Sequence, residues 1–174
     1  SGVFRGTVDF DPGSGEYFMS ATDSIATSQQ LFVLKLDPEG DFLWAKTFPY
    51  VSPGPPFSTY PRGAISSSAI GNGVCITGHV SGNVDFDPGP GEHIVNGDND
   101  IYILRLDSDG ELVWVKQIES AANDSGKAID LDEFGNIYIG GEYTGSADFD
   151  AGPDDYTVDA YNYWEGFLLK YDSD

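Results

Sequence analysis

Gly6-Thr7-Val8-Asp9-Phe10-Asp11-Pro12-Gly13 returns 76 residues on as Gly82-Asn83-Val84-Asp85-Phe86-Asp87-Pro88-Gly89, and 63 residues after that as Gly145-Ser146-Ala147-Asp148-Phe149-Asp150-Ala151-Gly152. Self-similarity at a long, nearly constant spacing marks a repeat architecture, and the segments between the copies repeat as well. Leu31-Phe32-Val33-Leu34-Lys35-Leu36-Asp37 comes back as Ile101 to Asp107 and again, with its closing aspartate at Asp172, as Gly166 to Asp172. Phe42-Leu43-Trp44-Ala45-Lys46 comes back as Leu112-Val113-Trp114-Val115-Lys116. The unit is thus about 65–75 residues with loops of variable length. It divides the chain into a partial unit over 1–61 with a Pro-rich loop, a full unit over 62–120 and a partial unit over 121–174, all within one continuous β-repeat domain.

Inside a unit the apolar residues alternate or form short runs rich in Val, Ile, Tyr, Phe and Trp, bounded by Gly, Asn, Asp or Pro, with no helical period. The chain is therefore expected to be all-β. One strand is predicted near Ala128 to Leu131, a turn at Asp132 to Asn136 and a second strand over Ile137 to Gly141; in the preceding unit the equivalents are Ala64-Ile65 and Val74 to Gly78. A long loop carrying the Asp-Phe-Asp motif follows, then the strand that ends in Asp37, Asp107 or Asp172. Asp37-Pro38-Glu39-Gly40 and Asp107-Ser108-Asp109-Gly110 suit a type I turn closed by a left-handed residue, and the Trp strand completes the unit. Four-stranded antiparallel units joined by hairpins are the plan of a propeller blade, which buries its faces against its neighbours. About two and a half blades fit this chain, short of the four to eight that close a ring. The expectation is an incomplete propeller-like array, completed by further repeats of a larger chain or by other copies of itself.

Ala128-Ile129-Asp130, Gly135-Asn136-Ile137-Tyr138-Ile139-Gly140-Gly141 and Gly166-Phe167-Leu168-Leu169-Lys170-Tyr171-Asp172 resemble the bacterial beta-propeller repeat family often called the seven-bladed beta-propeller repeat. The resemblance covers most of the chain. It implies large secreted or surface-attached bacterial proteins with adhesive or binding roles, hence an extracellular or cell-surface location. The long Asp-Phe-Asp loop and the Pro-rich segment from Pro49 to Pro61 depart from that family's compact blade.

Composition narrows the partners. Twenty-nine acidic residues against 8 basic ones give a net charge of −21, which repels nucleic acid and anionic membrane surfaces and attracts cations. No apolar run is long enough to span a bilayer as a helix. Cys75 is the only cysteine and lies in the apolar run Val74-Cys75-Ile76, so a buried, inert thiol is expected. Ser1-Gly2 running straight into strand-like sequence suggests a processed or trimmed start.

In each Asp-Phe-Asp loop a third acid follows seven residues after the first: Asp9, Asp11 and Glu16; Asp85, Asp87 and Glu92; Asp148, Asp150 and Asp155. Ca²⁺ takes six to eight oxygens from carboxylates, carbonyls and water on a flexible turn, and this pattern offers such a set. The alternative is that the aspartates close turns by bonding their own backbone while Phe10, Phe86 and Phe149 plug the core. The two readings are compatible. The sets Asp107, Asp109, Glu111 and Asp130, Asp132, Asn136 fall where hairpin turns favour Asp and Asn in any case, and there the structural reading is preferred.

Trp44 and Trp114 recur with Lys46 and Lys116 and read as core. Trp164, with Tyr161 and Tyr163, has no Trp counterpart in the other units; an exposed aromatic cluster of this kind can stack on sugar rings or on a protein surface. His79 and His93 do not recur, which argues against metal or catalytic roles. Asn123-Asp124-Ser125 fits a glycosylation sequon. No phosphate-binding, hydrolase or zinc motif is present, and repeated carboxylates lack the asymmetry that an acid and base pair requires. The sequence therefore points to a non-catalytic extracellular module with structural Ca²⁺, serving adhesion to a glycan or surface protein. The alternatives are a fibre subunit joined through open sheet edges and a fragment of a polysaccharide-acting propeller enzyme.

Overall fold

The computed structural model describes residues 1–21, 29–51, 64–67, 73–120, 123–161 and 163–172. The greater part of the Pro-rich segment lies outside them. The first unit comprises β1 (Gly2–Phe4), β2 (Thr7–Asp9), β3 (Phe18–Ser20), β4 (Gln30–Leu36) and β5 (Phe42–Phe48). The second comprises β6 (Ile65–Ser67), β7 (Val74–Asp85), β8 (Ile94–Leu106) and β9 (Leu112–Ile118). The third comprises β10 (Ser125–Leu131), β11 (Ile137–Tyr143), β12 (Ser146–Asp148), β13 (Thr157–Asp159) and β14 (Glu165–Tyr171).

The fold is all-β and antiparallel. β6-β7-β8-β9 form a complete four-stranded blade, flanked by the three-stranded sheets β1-β4-β5 and β10-β11-β14. Among the described residues these sheets do not close into a ring. The tight turns form as their sequence requires. Gly40, Gly110 and Gly135 have φ of 92°, 78° and 84°, and each donates its N–H to the carbonyl of the aspartate three residues back. Asp37, Asp107 and Asp132 brace the same turns, each Oδ1 accepting two further backbone N–H bonds.

The long loops expected at the Asp-Phe-Asp segments are present, from Phe10 to Tyr17, Phe86 to His93 and Phe149 to Tyr156, and each is the tip of a β-hairpin. β2 pairs with β3, β12 pairs with β13, and in the second unit the same hairpin is the continuation of β7 and β8 past a bulge at Val80/Ser81. Their strand character is hidden in sequence because each arm of the shorter hairpins is only three residues long.

Burial shows how blades stack. Successive residues of β8 feed two different cores: Tyr102, Leu104 and Leu106 join Leu31, Val33 and Phe48 of the first blade, while Ile101 and Ile103 join Ile137, Ile139 and Phe149 of the third. A strand buried on both faces reads as a continuous apolar run, as Ile101 to Leu104 does. At the position equivalent to Ile103, the first blade has buried Val33 and the third has exposed Leu168. The chain leaving each Trp strand then adds to the hairpin of the next blade. Tyr50 bridges Val84 and Ser120 bridges Ala147, with Asp85 and Asp148 donating N–H bonds to the carbonyls of Pro49 (3.0 Å) and Glu119 (3.1 Å).

Candidate functional site

The first two acids of each Asp-rich hairpin sit in the same places in all three copies. Asp9 Oδ1 accepts the N–H groups of Asp11 (3.0 Å) and Tyr17 (2.8 Å). Asp85 Oδ1 accepts those of Asp87 (3.0 Å) and His93 (2.8 Å), and Asp148 Oδ1 those of Asp150 (3.0 Å) and Tyr156 (2.9 Å). The second aspartate closes the tip: Asp11, Asp87 and Asp150 each accept the N–H of Gly13, Gly89 or Gly152 at 2.7 Å. Hydrogen bonds to an ionised acceptor contribute roughly 1.5–3 kcal/mol each, so each hairpin carries its own clasp.

The third acids stand apart. Glu16, Glu92 and Asp155 are exposed, and Asp155 Oδ1 accepts the backbone N–H of Thr157. Among the described residues no three side chains from His, Cys, Asp and Glu gather as a metal ion requires, so the seven-residue spacing does not draw a loop's three acids into one ligand set. A Cβ at Gly15 or Gly91 would collide with Asp11 Oδ2 or Asp87 Oδ2; the third copy has Asp154 at this position. Phe10, Phe86 and Phe149 are buried plugs. Phe86 stacks on Tyr102 at 4.9 Å, and Phe10 and Phe149 lie against Phe32 and Phe167 at 4.8 and 5.1 Å. The Trp strands serve the blade contacts: Trp44 donates its indole N–H to the Ser108 carbonyl at 2.9 Å, and Lys46 pairs with Glu111 at 2.7 Å.

A second, asymmetric site opens between the middle and third blades as a cleft of about 480 Å³. His79 and Asn99 line it from the middle blade; Asp124, Lys127, Glu142 and Trp164 line it from the third. Asn99 holds a left-handed φ of 66° beside the β7–β8 bulge, and its carbonyl accepts the Asp124 N–H at 3.0 Å, which ties the two blades together at the cleft wall. Lys127 and Glu142 form an ion pair across neighbouring strands β10 and β11.

Asp124 is only 3% exposed. Its Oδ1 accepts the Thr144 N–H at 2.8 Å, whereas its Oδ2 has no hydrogen-bond partner among the described residues. Burial raises the pKa of this carboxyl above the usual carboxylate value; hydrogen bonds from the Ser120 side chain and the Thr144 backbone oppose the rise, and the negative charge of Asp100 adds to it. Asp100 is buried as well but fully served, taking the N–H groups of Ser120 and Asp98 at 3.0 Å and the Gln117 amide at 2.7 Å.

The aromatic trio predicted from sequence divides in two. Trp164, 52% exposed, is part of the cleft wall, while Tyr161 and Tyr163 are 92% and 91% exposed. Glu165 anchors the loop, accepting the Tyr161 N–H at 2.8 Å through Oε1 and the Tyr143 hydroxyl at 3.4 Å through Oε2. Sequence reasoning missed Asp124, read there only as the middle of a sequon, set His79 and its counterpart Glu142 aside because the position does not recur, and passed over Asn99 and Lys127. The available signal was that the repeat breaks at His79, where the third unit has Glu142.

A family model described as beta-propeller repeat matches residues 113–150, from the second Trp strand through the third Asp-Phe-Asp segment. No curated protein matches the chain.

Proposed function

We propose that the chain is a non-catalytic, extracellular module of a bacterial surface protein, a stiff stack of β-propeller repeat blades that attaches to a partner surface. The observation that carries this reading is the loop ending in Trp164. Tyr161 and Tyr163 stand almost wholly in solvent while Glu165 fixes the loop base, and large aromatics held out of the core in this way are characteristic of contact surfaces. The test is adsorption of the chain to isolated bacterial cell envelopes, comparing it with a Tyr161→Ala/Tyr163→Ala variant. The reading expects adsorption that falls at least several-fold in the variant; equal adsorption of both, or none by either, would refute it.

Ca²⁺ belongs to this proposal in a restricted form. The hairpins close through Oδ1 contacts to their own backbone, so an ion on the remaining oxygens would stiffen loops that already stand by themselves. A second reading, a subunit that assembles with its own copies, is favoured by exposed Leu168, which sits where the other two blades bury Val33 and Ile103. Light scattering tests it: a mass above one chain that returns to one chain with Leu168→Glu supports assembly, and a concentration-independent monomer excludes it.

A further inference from the structure

We propose that the cleft between the middle and third blades is a binding site for a neutral saccharide, with Trp164 as its stacking wall and Asp124 as a hydroxyl acceptor. The proposal rests on the surface-binding reading and names the ligand class for it. Its starting point is Asp124, only 3% exposed in the cleft wall, whose Oδ2 has no hydrogen-bond partner among the described residues. A buried polar atom without a partner destabilises the fold, a penalty that a ligand hydroxyl donating to it removes. The rest of the lining suits the same chemistry. Asn99 and Asn123 each bring a side-chain donor and acceptor, Lys127 brings donors and Glu142 acceptors, so the wall can answer adjacent hydroxyls that both donate and accept. Trp164 presents an indole that is half exposed, the apolar face on which the C–H side of a sugar ring stacks.

Volume and charge narrow the choice. About 480 Å³ falls within the range of small-molecule sites. An organic cation would also find an aromatic face, but of the two carboxylates Glu142 is already paired with Lys127 and Asp124 is buried. An anion would find the Lys127 ammonium already paired with Glu142 and would meet the Asp124 carboxyl within a chain of net charge −21. A neutral polyol meets neither penalty.

The experiment is a ¹H–¹⁵N titration of the full chain with methyl β-D-glucoside, methyl β-D-galactoside and methyl α-D-mannoside, with choline chloride as the cationic control. The expected result is a saturable shift for at least one glycoside, confined to the amides of Asn99, Asp124, Ser125 and Thr144 and the Trp164 indole N–H. Trp164→Ala, which changes a half-exposed position and leaves the core intact, is expected to weaken it by roughly tenfold. Asp124→Asn is expected to weaken it also, with an unchanged spectrum elsewhere showing that the blade is folded. No glycoside shift, a shift insensitive to Trp164→Ala, or saturation by choline alone overturns the proposal. If the glycosides fail while envelope adsorption still depends on Tyr161 and Tyr163, only the saccharide site falls; if adsorption fails too, the surface-binding reading falls with it.

Discussion

Replacing Asp85 separates two ways in which an Asp-rich hairpin can be held. Asp85 is buried, and its Oδ1 takes two backbone N–H groups, from Asp87 and His93, which fix both arms of the hairpin whose Phe86 fills the core. Asp85→Ala removes both bonds. At roughly 1.5–3 kcal/mol for each bond to an ionised acceptor, partly recovered by water entering the space left, the loss is about 2–4 kcal/mol. For a domain of this size that lowers the thermal midpoint by roughly 6–12 °C. Asp85→Asn keeps an oxygen in the same place and loses only the charge, so about 1 kcal/mol, or roughly 3 °C, is expected. Circular-dichroism melts of the chain and both variants, each in Ca²⁺ and in excess chelator, make the comparison. If Asn is as damaging as Ala, and chelator lowers the parent's midpoint by a similar amount, a bound ion and not the Oδ1 clasp holds the hairpin.

Three further outcomes are expected. The Asp124 carboxyl has a folded pKa above its unfolded value, so its protonation favours the folded state; stability relative to Asp124→Asn should rise as pH falls from 7 through that raised pKa and level off below the ordinary carboxylate range, as pH-dependent denaturant titrations of the pair will show. Burial lifts the Cys75 thiol to about 11 against a small opposing effect of Arg105, so labelling by a thiol reagent at neutral pH should be slow in the native chain and proceed at the rate of unfolding. Phe86→Ala, which empties the space between Phe48 and Tyr102, should cost about 3–5 kcal/mol in urea-induced unfolding.

What the sequence revealed was local and periodic. The Asp37, Asp107 and Asp132 turns could be read because turn chemistry is written within five residues, and the blade strands because their spacing recurs. The hairpin character of the Asp-Phe-Asp segments was not legible, since β2, β3, β12 and β13 are too short to show alternation. Trp164 stood out because the repeat has nothing to match it. The rest of the cleft was hidden because it draws on β7, β8, β10 and β11 in two different units and on the very positions where those units differ, His79 against Glu142 among them. Asp124 looks like any surface aspartate until the Asn99 carbonyl of the neighbouring blade is seen to fix its backbone.

The alternation along β8 gives each blade a front and a back. Val33 and Ile103 look toward the following blade, Tyr102 and Leu104 toward the preceding one, and the two surfaces are not alike. Two copies cannot meet through such faces by a twofold axis, because a front fits only a back. Whatever lies against Leu168 must therefore arrive back-first, carrying residues of the Phe86, Tyr102 and Leu104 kind, and growth by this contact has a direction, as a thread on a screw does.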